Sequence, residues 1–318
     1  MSPAGAPEVP KEGATTTRRI LLVVNPASRR GDHASTAALD AFRVAGVECD
    51  AVLTRSPGHG GELAGALAAR YDLVFTLGGD GTAMEVVGAL VGSNIPVGIL
   101  PGGTGNLMAR ALGIPLDIRR AIRALLAGRP VPIDLGCLTT DAGVCRHFAF
   151  AAGVGADASM VANTSDAFKR HAGVLAYVVS GAGAILRRQS FRVRATVDGE
   201  IVERDATGVM VANVGRVLDG LVTLGPGIVP DDGRLDLCVY SGGRMADALR
   251  VGLRLVRGDF RPDPCVLFRA GRRFRIETIP ARPVQADGEL LGSTPFEVTV
   301  VPGAARLLKP IAHVSPIV

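Results

Sequence analysis

The apolar positions of this chain fall into two textures. Up to about residue 130, short unbroken apolar runs alternate with segments of helical period. Residues 20–24 (ILLVV) are continuously apolar and stop at Asn25-Pro26, the pattern of a buried strand meeting a loop. Residues 33–45 predict a helix with Leu39 and Phe42 on one face and Gly46 as its stop. Strands are predicted at 47–54, 72–82 and 95–106, the last two breaking into glycine turns, and helices at 60–70, 83–91, 107–112 and 117–127. Strands separated by helices imply a parallel sheet with crossovers. Ligands of open parallel sheets bind beyond the carboxyl ends of the strands. Three loops fall at those ends, 25–31, 78–82 and 101–106, and are expected to line one crevice.

Past Asp134-Leu135-Gly136 the texture changes. Strand-like runs are predicted at 147–152, 191–198, 207–214, 235–240, 265–269, 273–278 and 296–301, with helical stretches at 173–188 and 244–257. The fold class expected is α/β plus β-rich: an N-terminal parallel-sheet domain followed by a mainly antiparallel β domain. The layout is a disordered tail at 1–18, an α/β domain at 19–134 and a β-rich domain at 135–304, with the stretch 305–318 free to return to the first domain.

Composition narrows the function. Hydrophobic residues make up 47%, which excludes a disordered chain. Aromatics are only 4% and Trp is absent, so a stacking platform for nucleic acid is not expected. Five Cys, an odd number without a CxxC, support neither a disulfide framework nor a zinc site, and read as reduced thiols of a cytosolic protein. Among 35 basic side chains only Lys11, Lys169 and Lys309 are lysines, and no GxxxxGK[ST] occurs, so P-loop and protein-kinase designs are set aside. Residues 1–19 hold no signal-like apolar segment. The longest uncharged apolar helical stretch, 171–186, falls short of the ~20 residues of a membrane span.

Two glycine loops carry the candidate chemistry. In LGGDGTAMEVV a strand delivers Gly78, Gly79, Asp80, Gly81 and Thr82 to a turn that opens a helix, so backbone amides and the helix N-terminus can meet phosphates. The bland alternative is a βα turn with Asp80 as cap. In LPGGTGNLMAR, Thr104 and Asn106 can bond phosphate or ribose oxygens, or Asn106 can simply cap a tight turn. Asn25-Pro26-Ala27-Ser28 and Thr54 offer small polar groups on neighbouring strand ends. VPDDGRLDL has adjacent carboxylates that suit a hard cation, or a plain turn. VQADGELLG places Asp287 and Glu289 around a Gly, the sequence of a hairpin turn.

Together GGDGT, GGTGN with ARALGIP, DDGxLD and QxDGE, in this order over roughly 19–310, resemble the diacylglycerol kinase catalytic domain family, specifically bacterial lipid kinases of the diacylglycerol and YegS-like type. The resemblance implies a nucleotide-binding domain and a β-rich lipid-substrate domain with the active site in the cleft between them. It implies ATP at Asn25, Pro26, Ala27, Ser28, Thr54, Gly78, Gly79, Asp80, Gly81, Thr82, Glu85 and Thr104. It implies Mg²⁺ at Asp232 with backbone carbonyls near Val229 and Arg234, with Asp80 and Asp134 joined to it through waters, and Asp287 as proton acceptor. Met84 and Leu107 stand where the family usually has Asn and Asp. Arg110 is a candidate for neutralising transition-state charge. The implied reaction is phosphorylation of a lipid hydroxyl, first of all diacylglycerol to phosphatidic acid. Another lipid substrate such as phosphatidylglycerol or a sphingoid base, an NAD kinase-like activity, and a non-catalytic regulator are the alternatives. The expected setting is cytoplasmic, peripheral to the inner face of an anionic membrane, and compatible with a homodimer. Within 244–257, Arg250, Arg254 and Arg257 share one helical face, expected to be solvated or to meet headgroups, beside a stripe of Leu249, Leu253 and Val256.

Overall fold

The computed structural model describes residues 18–28, 31–140, 143, 145–155, 190–217, 221–242 and 244–311. The tail, the residues after 311, Arg29-Arg30 and the helical pattern predicted at 173–188 lie outside them.

β1 (Arg19–Val24) is buried from its second residue on. It pairs in parallel with β2 (Glu48–Leu53) on one side and β3 (Leu73–Gly78) on the other, and β4 (Val97–Pro101) extends the order beyond β3. β3 and β4 are buried at every position, as strands covered on both faces must be. Between and after these strands run α1 (Gly31–Val44), α2 (His59–Leu67), α3 (Asp80–Ala89), α4 (Leu107–Ala111) and α5 (Ile118–Leu126). In α5, Asp117 caps the first turn by accepting from Arg120 N at 2.9 Å, and Ile118, Ala121, Ile122 and Leu125 form one buried stripe. α1 turns a different face inward from the one expected. Ala38 and Phe42 are buried while Leu39 is exposed, because Phe42 sets the helix by packing edge-on to Phe75 with ring centroids 5.0 Å apart.

The chain continues through β5 (Arg129–Thr140), β6 (Cys145–Phe148), β7 (Ala151–Gly155), β8 (Phe191–Val197), β9 (Glu200–Ala206), β10 (Gly208–Ala212), β11 (Arg216–Val217), β12 (Val222–Thr223) and β13 (Leu235–Tyr240). Then come α6 (Met245–Arg257), β14 (Val266–Gly271), β15 (Arg273–Ile279), β16 (Pro283–Ala286), β17 (Glu289–Ser293) and β18 (Phe296–Lys309). β18 joins the two textures into one sheet. Its Leu307 pairs in parallel with Val97 of β4, and its first residues pair antiparallel with β15. The order is β2-β1-β3-β4-β18-β15-β8-β9, with β5 along β18 and β6 on β5. A second, antiparallel sheet runs β14-β13-β10-β7-β16-β17. Phe191, Phe274 and Val298 of the first sheet share a core with Val154, Val211 and Leu237 of the second.

Three expectations change. Residue 135, read as a domain boundary, lies inside β5, which pairs with β18 from Arg129 to Thr140. The predicted run 147–152 is two strands, β6 and β7, broken at Ala149-Phe150. The five thiols are not all reduced: Cys137 and Cys145 form a disulfide across the β5–β6 hairpin, where antiparallel pairing brings them together.

Candidate active site

The carboxyl ends of β1, β3 and β4 bring three loops into contact. Asn25 Nδ2 donates to Thr82 Oγ1 at 2.9 Å, and Asn25 Oδ1 accepts from Ala27 N at 3.0 Å, closing the 25–28 turn. Thr54 N donates to Val24 O at 2.8 Å, so buried Thr54 sits beside that turn. Gly102 N donates to Gly78 O at 2.9 Å. A Cβ at Gly103 would lie 2.6 Å from Gly79 Cα, so only glycine lets these two loops touch. Asn106 settles between the readings open to it: its amide donates to Gly103 O and accepts from Gly103 N, both at 2.9 Å, and it organises its own turn. Asp80 Oδ1 accepts from Met108 N at 3.1 Å, tying the start of α3 to the start of α4. No side chain caps α3 itself. Glu85 accepts from Gly58 N at 2.8 Å and Gly60 N at 3.0 Å, bracing the start of α2. Arg110 Nε donates to Gly105 O at 3.0 Å, on the same loop.

Opposite these loops is the β16–β17 hairpin. Ala286 pairs with Glu289, leaving a two-residue turn of Asp287 (φ 46°) and Gly288 (φ 88°), the left-handed pair an Asp-Gly turn supplies. The Asp287 carboxylate fills the break between β6 and β7. Oδ2 accepts from Ala149 N at 2.7 Å, and Oδ1 from Phe150 N at 2.9 Å and Ala151 N at 3.1 Å. Burial pushes this carboxyl up to about 6; the three amides pull it down, and the charge of Asp80 adds to the rise. Asp80 is therefore within electrostatic reach of Asp287, across the two halves of the chain. Two residues on, Glu289 pairs with Arg146, and a Cβ at Gly81 would lie 4.0 Å from Glu289 Oε1. The hairpin thus faces the 78–82 loop.

Beside β13, Asp232 Oδ1 accepts from Arg234 N at 2.9 Å, an Asx turn. Asp236 is pushed up to about 6 by burial and then by the charge of Asp232, with Arg234 opposing. Two repelling carboxylates at one turn suit a hard cation with oxygen ligands. No cluster of three His, Cys, Asp or Glu occurs among the described residues, so such a cation would depend on backbone carbonyls. Asp134 reaches this turn through the backbone. Its carboxylate accepts from Gly233 N at 2.6 Å and Gly303 N at 2.7 Å, which locks the Asp232 loop and β18 to β5.

Residues 19–138 match the diacylglycerol kinase catalytic domain model, and residues 150–309 match the YegS C-terminal NAD kinase beta sandwich-like domain model. The chain belongs to the diacylglycerol kinase catalytic-domain family. Membership makes it a lipid kinase. A diacylglycerol kinase of Bacillus subtilis is 29% identical over 88% of this chain and 92% of its own. An uncharacterized Synechocystis protein is 31% identical over 76% of this chain, which spans only 55% of that protein. A crystal structure of a candidate diacylglycerol kinase from Bacillus anthracis, 25% identical, superposes with a TM-score of 0.79 over 96% of this chain and all of its own.

Within this family member, the structure brings together Asn25, Pro26, Ala27, Ser28, Thr54, Gly78, Gly79, Asp80, Gly81, Thr82 and the 102–106 turn that carries Thr104. Glu85 stands behind them as a brace. Asp287 and Glu289 face them, and Val229, Asp232 and Arg234 form a separate turn held by Asp134. Sequence reasoning missed Arg146 and Asn213. Fully buried Asn213 donates to Asp134 O at 2.8 Å and to Ala149 O at 2.9 Å, linking the Asp232 loop to the amides around Asp287. Its one signal is an amide in the apolar run VMVANV.

Proposed function

We propose that this lipid kinase transfers the γ-phosphoryl group of ATP to the hydroxyl of diacylglycerol, giving phosphatidic acid and ADP. The observation that carries the reading is the Asp287 carboxylate, fixed by three amides within electrostatic reach of Asp80. The triphosphate lies along the 78–82 and 102–106 loops, where the start of α3 has no side-chain cap and Gly81 leaves room. The lipid hydroxyl enters from the hairpin side. A carboxylate offers about four acceptor sites. Asp287 gives three to amides, two on Oδ1 and one on Oδ2, so Oδ2 retains the site that takes the hydroxyl proton. As that proton leaves, the lipid oxygen bonds to the γ-phosphorus and the bond to the bridging β–γ oxygen breaks, releasing ADP. With a pKa near 6, Asp287 is ionised at neutral pH and a better base than an ordinary carboxylate.

Mg²⁺, held by Asp232 with the carbonyls of Val229 and Arg234, would supply charge neutralisation and order for the turn beside the cleft. The diacylglycerol assignment rests on the names of curated relatives such as the Bacillus subtilis enzyme. The deciding experiment incubates the protein with gamma-labelled ATP and Mg²⁺ against diacylglycerol, phosphatidylglycerol, sphingosine, NAD and no acceptor. Label moving into phosphatidic acid is the expected result. Label on another acceptor alone, or ATP binding without transfer, would replace this reading.

A further inference from the structure

On α6 one arginine is turned to the protein beside buried Val251: Arg254 donates to Asp263 Oδ2 at 2.6 Å and to Asp259 O at 3.1 Å, and its side chain is only 17% exposed. Asp263, at 5% exposure, also pairs with Arg250 at 3.3 Å, and Arg250 pairs with Asp247 at 3.2 Å. Of the three arginines, Arg254 is held inward by the 259–263 segment, while Arg250 stays about half-exposed and Arg257 exposed. The leucines go outward. Leu249 is 67% exposed, Leu253 49% and Val256 47%, at i, i+4 and i+7. Buried charge beside exposed leucines on one helix is the informative departure from ordinary burial.

We infer that the Leu249–Leu253–Val256 stripe is a docking surface for an anionic lipid bilayer. The inference rests on the lipid kinase reading, since a bilayer substrate requires such a surface. The charge around the stripe selects the occupant. Exposed Arg244 and Arg257 flank it at the two ends of α6. An apolar stripe with arginine flanks lies in the headgroup boundary, leucines toward the acyl chains and guanidinium groups on phosphates. Position agrees. β12 packs on α6 and its partner β11 packs on α4, so one two-stranded ribbon joins α6 to the helix that follows the 102–106 turn. Leu221, just before β12, the strand that packs on α6, is also exposed. No described helix is long and apolar enough to cross a membrane, so this contact is interfacial.

The test uses vesicles of phosphatidylcholine with and without phosphatidylglycerol. The full chain should co-sediment with the anionic vesicles and release as salt rises. The variant Leu249→Gln/Leu253→Gln/Val256→Thr should lose at least ~10-fold in partitioning. It should keep its melting temperature and its turnover of detergent-dispersed lipid. Because the protein has no Trp, Leu253→Trp makes a unique reporter, and its emission should shift to the blue on anionic vesicles. Unchanged partitioning by the triple variant, or a Leu253→Trp spectrum indifferent to vesicles, overturns the inference. So does a dimer in solution that the triple variant dissociates while vesicle binding persists, which would make this face a contact between two copies. Absence of turnover on detergent-dispersed lipid by the wild type would count against the kinase reading and leave the partitioning result to stand alone.

Discussion

Asn213 and Asp287 hold the two ends of one residue. Ala149 donates its N–H to Asp287 Oδ2 at 2.7 Å and accepts from Asn213 Nδ2 at 2.9 Å. Asn213 also donates to Asp134 O, and it is wholly buried. Asn213 is thus a positioning residue for the carboxylate. Asn213→Leu would leave two buried carbonyls unpaired, a loss of roughly 2–4 kcal/mol. The folded variant should show a kcat reduced about tenfold or more with KM for ATP nearly unchanged, because the nucleotide loops are held elsewhere. A stable variant with wild-type kcat would show that the 149–151 amides need no such support.

The Asp287 carboxyl is pushed up to about 6, mainly by burial. The group must be deprotonated to accept the hydroxyl proton, so kcat/KM should rise with pH through about 6 and level off above it. An ordinary solvated carboxylate would put that limb near 4. Asp287→Asn keeps the left-handed turn, since Asn also adopts positive φ, but it cannot take the proton. Turnover should fall about 10²–10⁴-fold and the limb should vanish. A variant that retains the limb assigns it to another group.

What the sequence made legible was local. The Asp-Gly turn at 287–288 and the glycine loops after β3 and β4 are encoded by neighbouring residues with narrow conformational menus. Asp134 and Asn213 were not legible as a pair, because their bond spans 79 residues and exists only after β5 and β10 come together. The amides that the Asp134 carboxylate binds, those of Gly233 and Gly303, lie far along the chain and could not be read from its neighbours. The inward turn of Arg254 on α6 was hidden for the same reason: Asp259 and Asp263, which hold it, lie outside the helix. Cys137 and Cys145 needed the β5–β6 register before their pairing could be seen.

Gly81 separates ligand effects from folding effects. It lies in the first turn of α3 with nothing closer to an added Cβ than Glu289 Oε1 at 4.0 Å. Alanine there meets no protein atom, and within a helix it is favoured over glycine by about 0.5–1 kcal/mol. Gly81→Ala should therefore melt at the same or a higher temperature while binding ATP more weakly. Gly103→Ala should fail in both respects, since its Cβ would press on Gly79 Cα. ATP affinity unaltered in Gly81→Ala, by calorimetric titration, would move the triphosphate away from this loop.

Arg146 and Glu289 make the last test. Their ion pair is half-exposed, and Glu289 Oε1 lies 4.0 Å from where a Cβ on Gly81 would stand. With Arg146 in place the pair is neutral toward an approaching triphosphate. Arg146→Gln leaves a bare negative charge opposite the phosphate loop, and KM for ATP should rise about three- to tenfold at low salt. The increase should shrink as salt screens it. Glu289→Gln alone should not raise KM, and the double variant should recover most of the Arg146→Gln loss, the signature of a coupled pair. If Arg146 instead contacts phosphate directly, the double variant will be as weak as the single one. Equal KM values across all four proteins would remove both residues from nucleotide binding.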